Sequence, residues 1–104
     1  MEGRKHTRFA VQLPVSFKGD ELSDRGTMLN VSGEGCAITS GTVVDKARYL
    51  QLTMQLREQE EPVQVDLAVV RWVSSTRFGV EFIKMSPQEE ERLKKFVKAL
   101  ESTK

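Results

Sequence analysis

The sequence predicts a mainly β domain: six strands spaced as in a small barrel or sandwich, followed by one C-terminal α-helix. Three observations carry this expectation. Apolar and polar residues alternate with a period of two in successive stretches, the signature of strands with one buried face. Short polar turns separate those stretches. The final segment then changes to helical spacing.

The first strand is expected over residues 9–17, where Phe9, Val11, Leu13, Val15 and Phe17 alternate with Ala10, Gln12, Pro14 and Ser16. Pro14 falls on the outer face and predicts an edge position or a bulge. Lys18-Gly19-Asp20 reads as a turn, and the polar stretch up to Gly26 as a loop. Residues 27–32 and 35–40 are two short strands around the tight pair Gly33-Glu34. Leu50, Leu52, Met54 and Leu56 define a fourth strand, and residues 57–62 a charged turn. Val63, Val65, Leu67 and Val69 define the inner face of a fifth, which extends through Trp72 and Val73. Ser74-Ser75-Thr76 closes a hairpin into Phe78, Val80 and Phe82.

Ser86-Pro87-Gln88-Glu89 is a capping box with proline at the first helical position. Leu93, Phe96, Val97 and Leu100 follow as one apolar stripe. So short a helix is marginal alone in water, which predicts that its stripe docks on the sheet.

Composition narrows the function. A length of 104 residues fits one domain, divided here into an N-terminal arm, residues 1–8, and a folded body, residues 9–104. Sixteen basic and fifteen acidic side chains leave a formal charge of +1, which argues against a duplex-DNA binder. The single cysteine, Cys36, allows no internal disulfide, and the single histidine, His6, fixes no metal. The N-terminal stretch has no signal-peptide apolar run, and no segment has the length of apolar residues that crosses a membrane. A soluble cytoplasmic protein without membrane insertion is expected.

Nucleophilic catalysis needs a base oriented by a third group, and the only histidine lies in the polar arm. The carboxylates cluster in residues 58–61 and 89–91, a charged turn and a helix start. Cys36 alternates with Ile38 and reads as a core thiol. No enzyme and no cofactor are expected.

Two features remain. Arg4 and Arg8 stand in the segment Arg4-Lys5-His6-Thr7-Arg8 ahead of the first strand, with Lys5 and His6 adding diffuse charge. Asn30-Val31-Ser32-Gly33-Glu34-Gly35 runs from a strand end into a two-glycine turn. Asn30 and Ser32 are two apart, so their side chains leave the strand on one face. Gly33 and Gly35 permit positive φ and close approach of a ligand to the backbone. Arginine forks bind phosphate, stack on bases and reach the guanine edge. Each feature alone also fits a charged tail or an ordinary polar turn.

The two in order, RxxxR and then NxSxxG, resemble the PilZ domain family of bacterial cyclic di-GMP receptors. Arg4, Arg8, Asn30, Ser32 and Gly35 fit every fixed position of that signature, and the late strand Phe78-Gly79-Val80-Glu81-Phe82 and the C-terminal helix extend the likeness over nearly the whole chain. The resemblance implies a six-stranded antiparallel β-barrel with a C-terminal helix. It implies cyclic di-GMP as ligand, with Arg4 and Arg8 on guanine and phosphate and with Asn30, Ser32 and Gly35 on the barrel side. Asn30 stands where many relatives carry aspartate, so one carbonyl oxygen replaces a carboxylate that accepts from two guanine N–H groups. The arm would be mobile when free and ordered by the ligand, presenting a changed surface to an unidentified downstream protein in second-messenger signalling, motility or biofilm control.

Trp72 is open between stacking on a guanine and packing in the core or against the helix. Alternation places it on the face of Ala68, away from Val69. Two rival functions stand beside the receptor: a PilZ-like adaptor without nucleotide, and a small RNA-binding barrel. The balanced charge and the few outward aromatics weigh against the second.

Overall fold

A computed structural model describes residues 7–42 and 44–102. Six antiparallel strands close a barrel in the order β1-β2-β3-β6-β5-β4: β1 (Phe9–Gly19), β2 (Leu22–Val31), β3 (Gly35–Thr39), β4 (Tyr49–Met54), β5 (Val63–Ser74) and β6 (Arg77–Lys84). Helix α1 (Pro87–Ser102) follows. Barrel and helix agree with the expected architecture. Of the arm, residues 1–6 lie outside the described residues, Arg4 and the expected mobility among them. Thr7 and Arg8 precede β1 without regular structure.

The first hairpin corrects the sequence reading. The polar stretch after Gly19 is not a loop up to Gly26 but the first half of β2, paired with β1 from Gly19↔Leu22 to Val15↔Gly26. Glu21 turns the corner at φ 56°. Leu22 is the only large apolar residue in that half, so alternation was too sparse to show; the strand is held there by its ladder with β1. Pro14 lies just beyond a register shift between Ala10 and Leu13, and its carbonyl accepts from Gln55 N at 3.0 Å.

The core fills the barrel with Val15, Phe17, Met28, Ile38, Leu50, Leu52, Met54, Val65, Ala68, Val70, Phe78 and Val80, all nearly sealed from solvent. Phe17 and Phe78 meet edge to face, with ring centroids 5.3 Å apart. Leu93 and Phe96 of α1 plug one side of this core, with Val97 and Leu100 packed at its margin. Only half of the capping box forms. Ser86 Oγ accepts from Glu89 N at 3.3 Å, but the Glu89 carboxylate accepts from Gln64 N at 2.6 Å and from Arg92 at 3.0 Å. The side chain that a free helix would spend on its own cap ties α1 to β5 instead.

In β5 the sequence reading of the faces is reversed beyond Val65. The residues of the core cluster are Ala68 and Val70, whereas Leu67, half-buried, and Val69, still buried at 6% exposure, lie outside it. Register shifts at Leu67/Ala68 and again at Val70/Trp72 change the alternation twice. A bulge sets two residues against one, so each shift moves the apolar series to the other face.

Candidate functional site

The hairpin between β2 and β3 is built on one hydroxyl. Ser32 Oγ accepts from Glu34 N at 3.0 Å and from Gly35 N at 3.2 Å. Ser32 N donates to the Gly35 carbonyl at 2.9 Å, and Phe82 N to the Glu34 carbonyl at 2.8 Å, which pins the turn to β6. Ser32 is 2% exposed, and its hydroxyl faces the turn. Serine suits this task because its short hydroxyl bonds backbone groups two and three residues on.

Neither glycine has positive φ, contrary to expectation. Gly33 is unconstrained: a methyl there would meet nothing within 4 Å. Gly35 is required by close approach, since a methyl there would overlap the Val80 carbonyl oxygen and stand 3.4 Å from Arg8 Nη2. The backbone of β6 and the Arg8 guanidinium thus occupy the space that a side chain would fill.

Asn30, the last residue but one of β2, accepts twice through Oδ1: from Ala37 N at 3.1 Å and from Arg8 Nη1 at 3.1 Å. Both partners are donors, which fixes the oxygen toward them. Arg8 and Asn30, from the two halves of the sequence motif, therefore meet on the outer face. Beneath them lies Cys36, whose thiol burial pushes up to about 12, against a smaller opposite pull from Arg8. It is a core thiol, as its alternation with Ile38 predicts, and carries no thiolate chemistry near neutral pH.

The register extends this surface. Asn30 pairs with Ala37, Ala37 with Gly79, and Gly79 with Trp72, a single row across β2, β3, β6 and β5. The indole of Trp72 covers Gly79, and a methyl on Gly79 would stand 2.9 Å from Cδ1. Trp72 is 40% exposed, which decides its open reading for the outer face. It does not share that face with Ala68, which is in the core; the bulge before Trp72 turns it outward. Ala37 and Gly79 make a low floor between Asn30 and Trp72. Beside the row, Arg71 Nε donates to Glu81 Oε1 at 2.7 Å.

The sequence places Gly79 and Glu81 only in the late strand and Arg71 only in the fifth, and assigns none of them to this surface. A glycine inside the strand pattern Phe78-Gly79-Val80 was a usable signal, since strand-interior glycine marks close approach of another group. The ion pair left no local trace. A separate depression of about 480 Å³, lined by Lys18, Asp20, Arg48, Tyr49, Gln51 and Asp66 among others, contains none of the motif residues. Its lining mixes both charge signs. Among the described residues no cluster of metal-ligating side chains is present, and no helix is long and apolar enough to cross a membrane.

A closed six-stranded barrel with an Arg-Asn contact beside a serine-organised turn defines a small β-barrel domain with a polar surface at one hairpin. The PilZ domain model matches residues 2–99, and the chain belongs to that family. No curated protein sequence matches it. Among solved structures, the Bacillus subtilis inhibitor of motility MotI/DgrA superposes with a TM-score of 0.82 at 21% identity, covering 100% of this chain and 53% of that one. This chain thus spans about half the length of that relative. The PilZ domain of YcgR from Escherichia coli, solved with c-di-GMP, gives 0.77 at 16% identity, covering 96% and 92%. The PilZ domain of CeSA from a cellulose-synthesizing bacterium gives 0.70 at 15%, covering 91% and 98%. At these identities the likeness is one of fold.

Proposed function

We propose that this protein is a cyclic di-GMP receptor without catalytic activity, acting in bacterial second-messenger signalling from the cytoplasm. One observation carries the reading: Arg8 lies on Asn30, so the two halves of the motif form one polar surface next to an aromatic and a small-residue floor. The YcgR domain with c-di-GMP supports it by analogy of fold.

The geometry suggests an exchange. Both lone pairs of Asn30 Oδ1 are in use, by Ala37 N and by Arg8. A guanine edge that donates to Asn30 takes the place of Arg8 and frees its guanidinium for phosphate or base. Asn30 Nδ2 offers a donor for guanine O6. Trp72 supplies a face for stacking, worth about 1–3 kcal/mol per base in single-strand binders. Arg4 joins Arg8 from the arm, while Ser32 and Gly35 hold the turn at the right height. Ordering the arm costs roughly 1–2 kcal/mol per fixed residue and creates a new surface, by which occupancy reaches a downstream protein, in motility or biofilm control.

Calorimetric titration with cyclic di-GMP, beside GTP and cyclic di-AMP, tests the proposal. Saturable binding of cyclic di-GMP alone is expected. A flat titration would leave the nucleotide-free adaptor, and salt-sensitive binding of arbitrary oligonucleotides would favour the RNA-binding barrel.

A further inference from the structure

The bulge that turns Trp72 outward also turns its neighbour. Two residues of β5 face one of β6 between Val70↔Val80 and Trp72↔Gly79, and Arg71 and Trp72 are both exposed. Arg71 reaches Glu81 with two nitrogens on the same oxygen, Nε at 2.7 Å and Nη2 at 2.6 Å. The pair is open to solvent, with the side chains 59% and 47% exposed, and such pairs add little to stability. Its placement is more informative. Glu81 is the cross-strand partner of Gly35, and Arg8 Nη2 is 3.4 Å from the point where a Gly35 methyl would stand. The outer strip therefore runs Arg8, Glu81, Arg71: an anion between two cations, on strands spaced about 4.8 Å apart.

A carboxylate in that position repels the phosphates of any anionic ligand that Arg8 engages. Arg71 cancels this charge while it rests on Glu81. We propose that Arg71 is a third arginine of the ligand site, held in reserve by Glu81 and transferred to the second phosphate of the dinucleotide when Arg8 takes the first. The inference rests on the cyclic di-GMP reading and adds to it a phosphate-binding residue outside both halves of the motif. A cyclic dinucleotide, with a phosphate on each side of its ring, matches two arginines on one outer strip, Arg8 from the segment before β1 and Arg71 from β5. The carboxylate between them penalises a ligand too small to engage both.

Titration of cyclic di-GMP into the wild-type protein and into Arg71→Ala, Glu81→Gln and the double variant tests this. Arg71→Ala is expected to weaken binding about ten- to a hundredfold, the loss of one charge-assisted bond. Glu81→Gln is expected to tighten it about threefold or more, since repulsion is removed and Arg71 released. The double variant should recover part of the Arg71→Ala loss, and all should melt close to wild type. If the pair merely braces β5 against β6, both single changes weaken binding alike, which overturns the proposal. Equal affinity of wild type and Arg71→Ala overturns it too, while the receptor reading stands. If wild type binds no cyclic di-GMP, the receptor reading falls and the role of Arg71 falls with it.

Discussion

Arg8 Nη1 donates to Asn30 Oδ1 at 3.1 Å, across a separation of 22 residues. This contact joins the start of β1 to the end of β2, where Phe9 pairs with Val31 and Ala10 with Asn30. The bond is exposed, so water competes for it and its own contribution to stability is small. Its consequence is positional: a guanidinium with five donors is kept beside the Asn30 amide.

Arg8→Ala is accordingly expected to abolish detectable cyclic di-GMP binding and leave the fold intact. The lost charge-assisted bonds are worth about 1.5–3 kcal/mol each, one to two decades of affinity. The melting transition should move little, since exposed substitutions stay within about 0.5 kcal/mol. Calorimetry and thermal melting of the variant check both halves; an unchanged affinity would remove Arg8 from the site.

The two turn glycines should behave differently. Gly33→Ala puts a methyl into open space and is expected to be neutral within about 0.5 kcal/mol. Gly35→Ala drives a methyl into the Val80 carbonyl and against Arg8, and should destabilise by roughly 1–3 kcal/mol while weakening ligand binding. Urea midpoints of the two variants measure the contrast. Equal midpoints would mean that β3 and β6 do not approach as closely as described.

Gly79→Ala addresses the floor of the site. Its methyl would overlap the indole ring of Trp72, which is partly exposed and can rotate outward. Because the chain has one tryptophan, the emission spectrum reports this position alone. A red shift is expected in the variant, and quenching on addition of cyclic di-GMP, expected in the wild type, should be reduced. Identical spectra and identical quenching would show that Trp72 does not rest on Gly79.

Cys36 supplies a pH prediction. Burial pushes its thiol from 9.0 to about 12 in the folded state, so between those values the unfolded chain has lost a proton that the folded one keeps. Deprotonation then favours unfolding: the contribution is fully present below pH 9.0 and is lost as pH rises toward 12. The slope is on the order of 1.4 kcal/mol per pH unit. Denaturation of wild type and Cys36→Ala from pH 8 to 11 should show the wild type losing stability faster above pH 9, and a thiol reagent at pH 8 should react only on unfolding. A constant difference between the two proteins across that range would contradict the burial of the thiol.

The sequence alone determined the period of most elements, β2's first half and the bulged part of β5 excepted, and therefore the class of fold. Alternation placed Val15, Phe17, Leu50, Leu52, Met54, Val63 and Val65 in the core, and the Ser86 cap and apolar stripe placed α1. These are local properties, written within a few residues and legible without knowing any partner. The motif residues were legible as well, because their types and spacing do not depend on the rest of the chain. Tertiary structure decided what depends on a partner strand. The bulges of β5 put Ala68 and Val70 rather than Leu67 and Val69 into the core cluster and aimed Arg71 and Trp72 outward, since register is set by the neighbouring strand and a one-residue shift reverses every face. Ser32 was assigned to the turn by the amides of Glu34 and Gly35, and Gly35 owes its identity to the Val80 carbonyl rather than to its own φ. Contacts such as Arg8 with Asn30 and Arg71 with Glu81 bridge separations over which side-chain periodicity carries no information; only the pairing of β1 with β2 and of β5 with β6, in the register the bulges set, brings their backbones within reach.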